Sequence, residues 1–185
     1  MSIDDFFIRL IAALEHADVS YMVTGSYASS AHGEPRASND IDIVIAPTPE
    51  QLHTLMQQFP SDRYYADEDD AFEMLEQRLQ FNVIDFATCW KADLIFRKDR
   101  KFSDTEFLRR TRHVIAGQPV YLTTAEDILI AKLEWAKLGE SERQIEDAAG
   151  VIRRQGSALD RQYVEHWVKE LELEAQWRSA LSKAG

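Results

Sequence analysis

Residues 3–17, IDDFFIRLIAALEHA, carry Phe6, Phe7, Leu10, Ile11 and Leu14 at helical spacing, which predicts an amphipathic helix at the start of the chain. The run VSYMVTG then reads as a short buried strand ending on Gly25. The small residues of SYASSAH suit a short helix, and EPRAS breaks it, because proline cannot continue a helix and restrains the residue before it. NDIDIVIA follows as a second strand, rich in the β-branched residues that strands favour.

PTPEQLHTLMQQF places Pro and Thr ahead of an apolar-periodic stretch, a helix start. From there to about residue 80 no single period dominates. LQFNVIDFAT reads as a further strand with Asp85 in its interior, and RHVIAGQPVYL as strand, glycine turn and strand. From residue 123 the texture is helical. Thr123 with Glu126 forms a capping-box pattern ahead of ILIAKLEWAKL. SERQIEDAAGVIRRQG ends on a glycine, as helices often do, and DRQYVEHWVKELELEAQWRSALSKA supplies one or two more helices. The expected architecture is α/β (α+β): a mixed twisted sheet with flanking helices over residues 1–122, then a helical portion over 123–185.

Composition narrows the class without changing this outline. The 185 residues are 45% hydrophobic and 29% charged, the balance of a globular protein with a real core. No apolar run reaches the twenty or so residues of a membrane span, and the opening MSIDDFFIRL is acidic where a signal peptide is basic, so no membrane partner and a cytoplasmic location are expected. The single cysteine, Cys89, excludes an internal disulfide framework and a thiolate zinc cluster, and a small buried hydrophobe is its expected role. His16, His53, His113 and His166 show no ligand spacing. Trp135, Trp167 and Trp177 fall where helix packing would use them, and His32 reads as structural or exposed.

Charge distribution says more than composition. A net charge of −11 speaks against a surface coated in nucleic acid. Acid concentrates in residues 62–77, whereas 91–113 carries eight Lys or Arg against four acids. That basic segment is the candidate surface for a polyanion such as RNA, although a solvated loop and helix face has the same composition.

The chemistry begins at Asp40 and Asp42. Alternate residues of a strand point to the same face, so these two carboxylates aim together while Ile41 and Ile43 enter the core. Paired carboxylates repel and are costly to bury, and a divalent cation resolves both problems; oxygen ligands suit Mg²⁺ or Mn²⁺. Alone, such a pair is equally the mark of a solvated strand rim. Three neighbours shift the balance. Gly25-Ser26 opens a short helix whose free N–H groups can meet phosphate. Asp85 interrupts another apolar run. Lys132 sits in ILIAKLEW, where a buried ammonium needs an anion.

This order and spacing resemble the DNA-polymerase-β-like nucleotidyltransferase superfamily. The run Gly25-Ser26, Gly33, Pro35-Arg36, Ser38, Asp40-Ile41-Asp42 looks most like its AbiEii-like branch of toxin–antitoxin nucleotidyltransferases, and Lys132, Arg143 and Asp147 match that branch's later helices. The resemblance implies that Asp40, Asp42 and Asp85 are catalytic and hold Mg²⁺ or Mn²⁺. It implies that Gly25, Ser26, Arg36, Ser38, Lys132 and Asp147 bind the nucleotide, with Asp147 either orienting Lys132 or touching the nucleotide itself. Nucleotidyl transfer from a nucleoside triphosphate to a hydroxyl is then the expected reaction, with RNA as acceptor through residues 91–113, a cognate antitoxin as partner and the helical portion closing the cleft. Two alternatives keep the same residues: a catalytically idle nucleotide- or protein-binding module, and a transferase acting on a cationic small molecule of the aminoglycoside type drawn in by the acidic 62–77 segment.

Overall fold

The computed structural model describes residues 3–35, 38, 40–139 and 141–185. Its strands are β1 (Tyr21–Val23), β2 (Asp40–Ile45), β3 (Tyr64–Tyr65), β4 (Gln80–Asp85), β5 (Lys91–Phe96), β6 (Thr111–Ile115) and β7 (Gln118–Leu122). They form one mixed sheet in the order β3-β4-β5-β2-β1-β7-β6. The helices are α1 (Ile3–His16), α2 (Gly25–His32), α3 (Pro49–Met56), α4 (Glu68–Gln77), α5 (Lys101–Arg109), α6 (Ala125–Gly139), α7 (Glu142–Gln155), α8 (Arg161–Glu170) and α9 (Glu174–Ala184). The α/β class, with helices flanking a mixed sheet and a helical C-terminal portion, is the one the sequence predicts. Among the described residues no helix is long and apolar enough to cross a membrane.

Two compact units share the chain: Met1–Thr24 with Ser38–Leu122, and Gly25–Ala37 with Thr123–Gly185. The first holds the whole sheet with α1, α3, α4 and α5. Its organising fact is strand alternation. Along β2, Ile41, Ile43 and Ile45 are fully buried while Asp40, Asp42 and Val44 face the other way, half-buried. The register carries this pattern across the sheet: Ile43 lies opposite Leu94 of β5, and Leu94 opposite Phe81 of β4. The same face continues through Val83 and Asp85 to Tyr64 of β3. Phe6 of α1 stacks on Tyr64 with ring centroids 6.4 Å apart, so the Phe6, Phe7, Leu10 stripe is the helix surface that closes this core. Each such side chain, fully buried, contributes about 1.5–3 kcal/mol.

The undecided stretch before residue 80 becomes β3 and α4. Asp67 caps α4 through the Asp70 N–H, and Glu68, Asp69 and Asp70 occupy its first turn. Much of the 62–77 acid therefore complements the positive end of a helix. The basic 91–113 segment is likewise divided among β5, α5 and the start of β6, and several of its charges are engaged locally. Arg97 pairs with Asp104 at 2.7 Å, and Arg110 lies 4.2 Å over the Phe107 ring and 5.0 Å over that of Tyr121. Cys89 departs from the expected buried role: it is exposed in the β4–β5 turn at φ +57°, a left-handed position that a tight turn demands.

The second unit is helical. α2 packs on α6 and α7, and Gly33 makes the approach close. A β-carbon there would lie 2.8 Å from the Ser29 carbonyl oxygen and 2.9 Å from the Val151 nitrogen, both backbone atoms that cannot step aside. His32 is structural: Nε2 donates to the Thr123 carbonyl at 2.7 Å, and Gln155 donates to the His32 carbonyl at 2.7 Å. The α6 cap falls one residue later than the sequence pattern suggests. Thr124, not Thr123, accepts from the Asp127 N–H at 3.2 Å, and its hydroxyl donates to the Asp127 carboxylate at 2.6 Å. Trp167 and Trp177 are core residues, but Trp135 is exposed on α6.

Candidate active site

β2 runs parallel to β5 with Asp40 opposite Lys91 and Asp42 opposite Asp93; β4 runs antiparallel to β5 with Asn82 opposite Asp93 and Ile84 opposite Lys91. Residues paired across a ladder project to the same face. Asp42, Asp93 and Asn82 thus form one row across three strands, and Asp40 and Lys91 lie in the next.

Asp85, the third carboxylate expected from the sequence, is not in this row. Asp85 belongs to the opposite face, with Phe81 and Val83, and is fully buried. Arg9 of α1 forms an ion pair with its Oδ2, the same guanidinium donates through Nε to the Tyr64 hydroxyl at 2.9 Å, and Asp85 Oδ1 accepts the Ala87 N–H at 3.0 Å. The Asp85 carbonyl also accepts the Cys89 N–H at 2.7 Å. Asp85 therefore builds the β4–β5 turn and anchors α1 to the sheet. It does not share a face with Asp40 and Asp42; Asp93 does.

Two acceptors of the row lack a hydrogen-bond partner. Asp93 is 7% exposed, and its Oδ2 accepts from Lys91 Nζ at 2.9 Å, while its Oδ1 is buried without a hydrogen-bond partner. Asn82 Oδ1, opposite it, is a second buried acceptor without a donor. Buried acceptors are ordinarily satisfied, so these two suit a cation or a donor from outside. The donor set is entirely oxygen, which fits Mg²⁺ or Mn²⁺. Ser38 holds Asp40 by a hydroxyl bond to Oδ1 at 2.5 Å, which makes Ser38 a positioner of that carboxylate. Among the described residues no three acidic, histidine or cysteine side chains are gathered as a ready-made metal cage. Asp40, Asp42 and Asp93 share a face, with Asp40 engaged by Ser38 and Asp93 by Lys91.

The Thr24 N–H donates to the Asp42 carbonyl at 3.0 Å, fixing the end of β1 beside Asp42. α2 starts at the next residue, Gly25, whose φ of +60° is strained for any side chain. Within the helical unit Ser26 is buried, and its hydroxyl has no partner. A buried hydroxyl in the first turn of a helix is suited to an anion. In the same helical unit, Lys132 of α6 and Asp147 of α7 form an ion pair at 2.9 Å, both side chains nearly inaccessible. Arg36 lies outside the described residues.

The sequence expectation does not single out Asp93, Asn82 or Lys91. The signal was present: in KADLIF, Ala92, Leu94 and Phe96 alternate with Lys91, Asp93 and Ile95, the period of a half-buried strand.

No family model matches the chain, and no curated protein matches it in sequence. Solved structures do share its fold. The solution structure of the antibiotic-resistance factor ANT(2'')-Ia aligns over 97% of this chain and 92% of its own, with a TM-score of 0.54 and 18% identity. The crystal structure of ANT(2'')-Ia in complex with adenylyl-2''-tobramycin aligns over 96% and 99%, with a TM-score of 0.55 and 17% identity. An antigenic nucleotidyltransferase-like protein from Paracoccidioides brasiliensis aligns over 96% and 91%, with a TM-score of 0.52 and 17% identity. The chain shares its fold with these proteins.

Proposed function

We propose that this chain is a metal-dependent nucleotidyltransferase that moves a nucleoside monophosphate from a nucleoside triphosphate to a hydroxyl and releases pyrophosphate. The observation that carries the reading is the Asp42, Asp93, Asn82 row beside Asp40, with two buried acceptors lacking donors, on a nucleotidyltransferase fold. Asp40, Asp42 and Asp93 are assigned to hold Mg²⁺ or Mn²⁺, whose charge would offset the negative charge of the phosphates undergoing in-line displacement. The acceptor oxygen attacks the α-phosphorus, the bond to the β-phosphate breaks, and the hydroxyl proton passes to Asp93, whose Oδ1 is an acceptor in want of one. Ser38 keeps Asp40 aimed. Gly25 and Ser26 are assigned to the phosphates, since a first-turn N–H group and an unpartnered hydroxyl are phosphate donors. Arg36 and Lys132 take nucleotide-binding roles on the resemblance alone. Asp147 orients Lys132, the reading that their ion pair favours.

One observation bears on the acceptor. A structural neighbour is seen with adenylyl-2''-tobramycin, a nucleotidylated aminoglycoside. A chain of net charge −11 suits a cationic polyol better than a polyanion. We therefore favour a small amine-bearing polyol as acceptor over RNA; the RNA and antitoxin readings rest on the AbiEii-like motif alone. The test is incubation with each labelled nucleoside triphosphate, Mg²⁺ or Mn²⁺, and either an aminoglycoside panel or total RNA. Transfer that disappears in Asp40→Asn, Asp42→Asn and Asp93→Asn is the expected result. Full activity in any of the three would sink the mechanism, and labelled RNA without labelled aminoglycoside would reverse the choice of acceptor.

A further inference from the structure

Among the described residues, the carboxylate face carries a cation of its own. Lys91 lies at the start of β5, opposite Asp40 on one side, and its Nζ bonds Asp93 Oδ2 at 2.9 Å. Asp93 is two residues along the same strand, so both side chains leave the same face. The Lys91 ammonium therefore stands on the face that carries Asp40, Asp42 and Asp93, in contact with Asp93. It satisfies only one oxygen of Asp93, leaving Oδ1 without a donor, and its own side chain is 39% exposed on a flexible four-carbon stem. A group that was merely structural would be expected to satisfy its partner fully, as Arg9 and the Ala87 N–H do together for Asp85.

We propose that Lys91 is the resident counter-ion of this face: it holds Asp93 in place without a divalent ion and yields Asp93 Oδ2 when one binds, so that Lys91 sets how much divalent cation the site demands. Lys91 is thus a positioning residue acting through Asp93. The inference rests on the metal-dependent reading of the same carboxylates. Its physical basis is direct. An ammonium a few ångströms from a cation site opposes a divalent ion even at the dielectric constant of water, and removing it should tighten binding. In return, the ammonium limits repulsion among Asp40, Asp42 and Asp93 when no ion is present.

The experiment is calorimetric titration of nucleotide-free protein with Mn²⁺ alone, for wild type, Lys91→Met, Lys91→Arg and Asp93→Asn, alongside melting curves with and without Mn²⁺. Lys91→Met should bind Mn²⁺ at least about tenfold more tightly than wild type. It should melt lower than wild type without the ion and gain more from it. Lys91→Arg, which keeps the charge, should not bind more tightly, and Asp93→Asn should bind more weakly. A purely structural lysine would give loss of affinity, not gain. Unchanged or weaker Mn²⁺ binding by Lys91→Met, with wild-type binding intact, overturns the counter-ion role and leaves the functional reading standing. Absence of Mn²⁺ binding in both wild type and Lys91→Met overturns both.

Discussion

Asp85 and Asp93 sit on neighbouring antiparallel strands of one sheet and differ in nearly every respect that matters. Asp85 looks into the core, where Arg9, the Ala87 N–H and the turn it organises use its oxygens. Asp93 looks the other way, toward Asp42 and Asn82, with one oxygen on Lys91 and the other unpartnered. Burial alone would rank Asp85 as the more suspicious group, since it is the less exposed of the two. Satisfaction ranks them the other way. A buried carboxylate with matched donors stabilises the fold, whereas a surplus of acceptors is stability left unclaimed until something binds.

The largest effect that tests this contrast is on turnover. Asp93→Asn should lower transfer by about a thousandfold, the scale of losing a principal electrostatic group in an active site, with little change in the melting curve. Asp85→Asn should retain transfer per folded molecule. Single-turnover assays on both variants, normalised to folded protein, decide it; a dead but stable Asp85→Asn would exchange the two roles.

A smaller effect, on stability, comes from the pair most like Asp85. Lys132 and Asp147 are both buried, so Asp147→Asn leaves an ammonium without its counter-charge. The expected loss is about 3–5 kcal/mol, read from denaturant midpoints, and Lys132→Met combined with Asp147→Asn should recover part of it. Asp85→Asn should cost less, about 1–3 kcal/mol. Arg9 is 28% exposed and can rehydrate, and asparagine can still accept the Ala87 N–H.

Periodicity made one half of this contrast legible and hid the other. The β2 pattern placed Asp40 and Asp42 on one face and Ile41 and Ile43 in the core, because strand alternation depends only on local geometry. Asp85 also stood out as a carboxylate within an apolar run, but the face it would choose depends on Arg9, far away in sequence. Asp93 is hidden from local pattern for a different reason. Its strand lies in a segment dominated by basic charge, and the alternation in KADLIF becomes meaningful only when the parallel register sets Asp93 opposite Asp42. Long-range register is the part of the site that local patterns do not encode. The Thr124 cap and exposed Trp135 are lesser cases, in which spacing fixes a helix but not its first residue or its outward side.

The smallest effect comes from a carboxylate that is paired but largely exposed, at the far end of the scale from Asp85. Arg153 donates to both Glu34 oxygens, at 2.8 and 2.9 Å, and to Glu146 at 2.9 Å. The hydrogen bonds from Arg153 lower the Glu34 carboxyl from its ordinary 4.5. A carboxyl held lower in the folded chain stabilises it above the ordinary value and loses that contribution as pH falls through the lowered one. Denaturant midpoints of wild type and Glu34→Gln should therefore differ slightly near neutrality and converge as the solution is acidified below 4.5. Solvent screening keeps the gap small, and added salt should shrink it further. A gap as wide as that of Asp85→Asn would break the ordering by burial and satisfaction from which the roles of Asp85 and Asp93 were assigned.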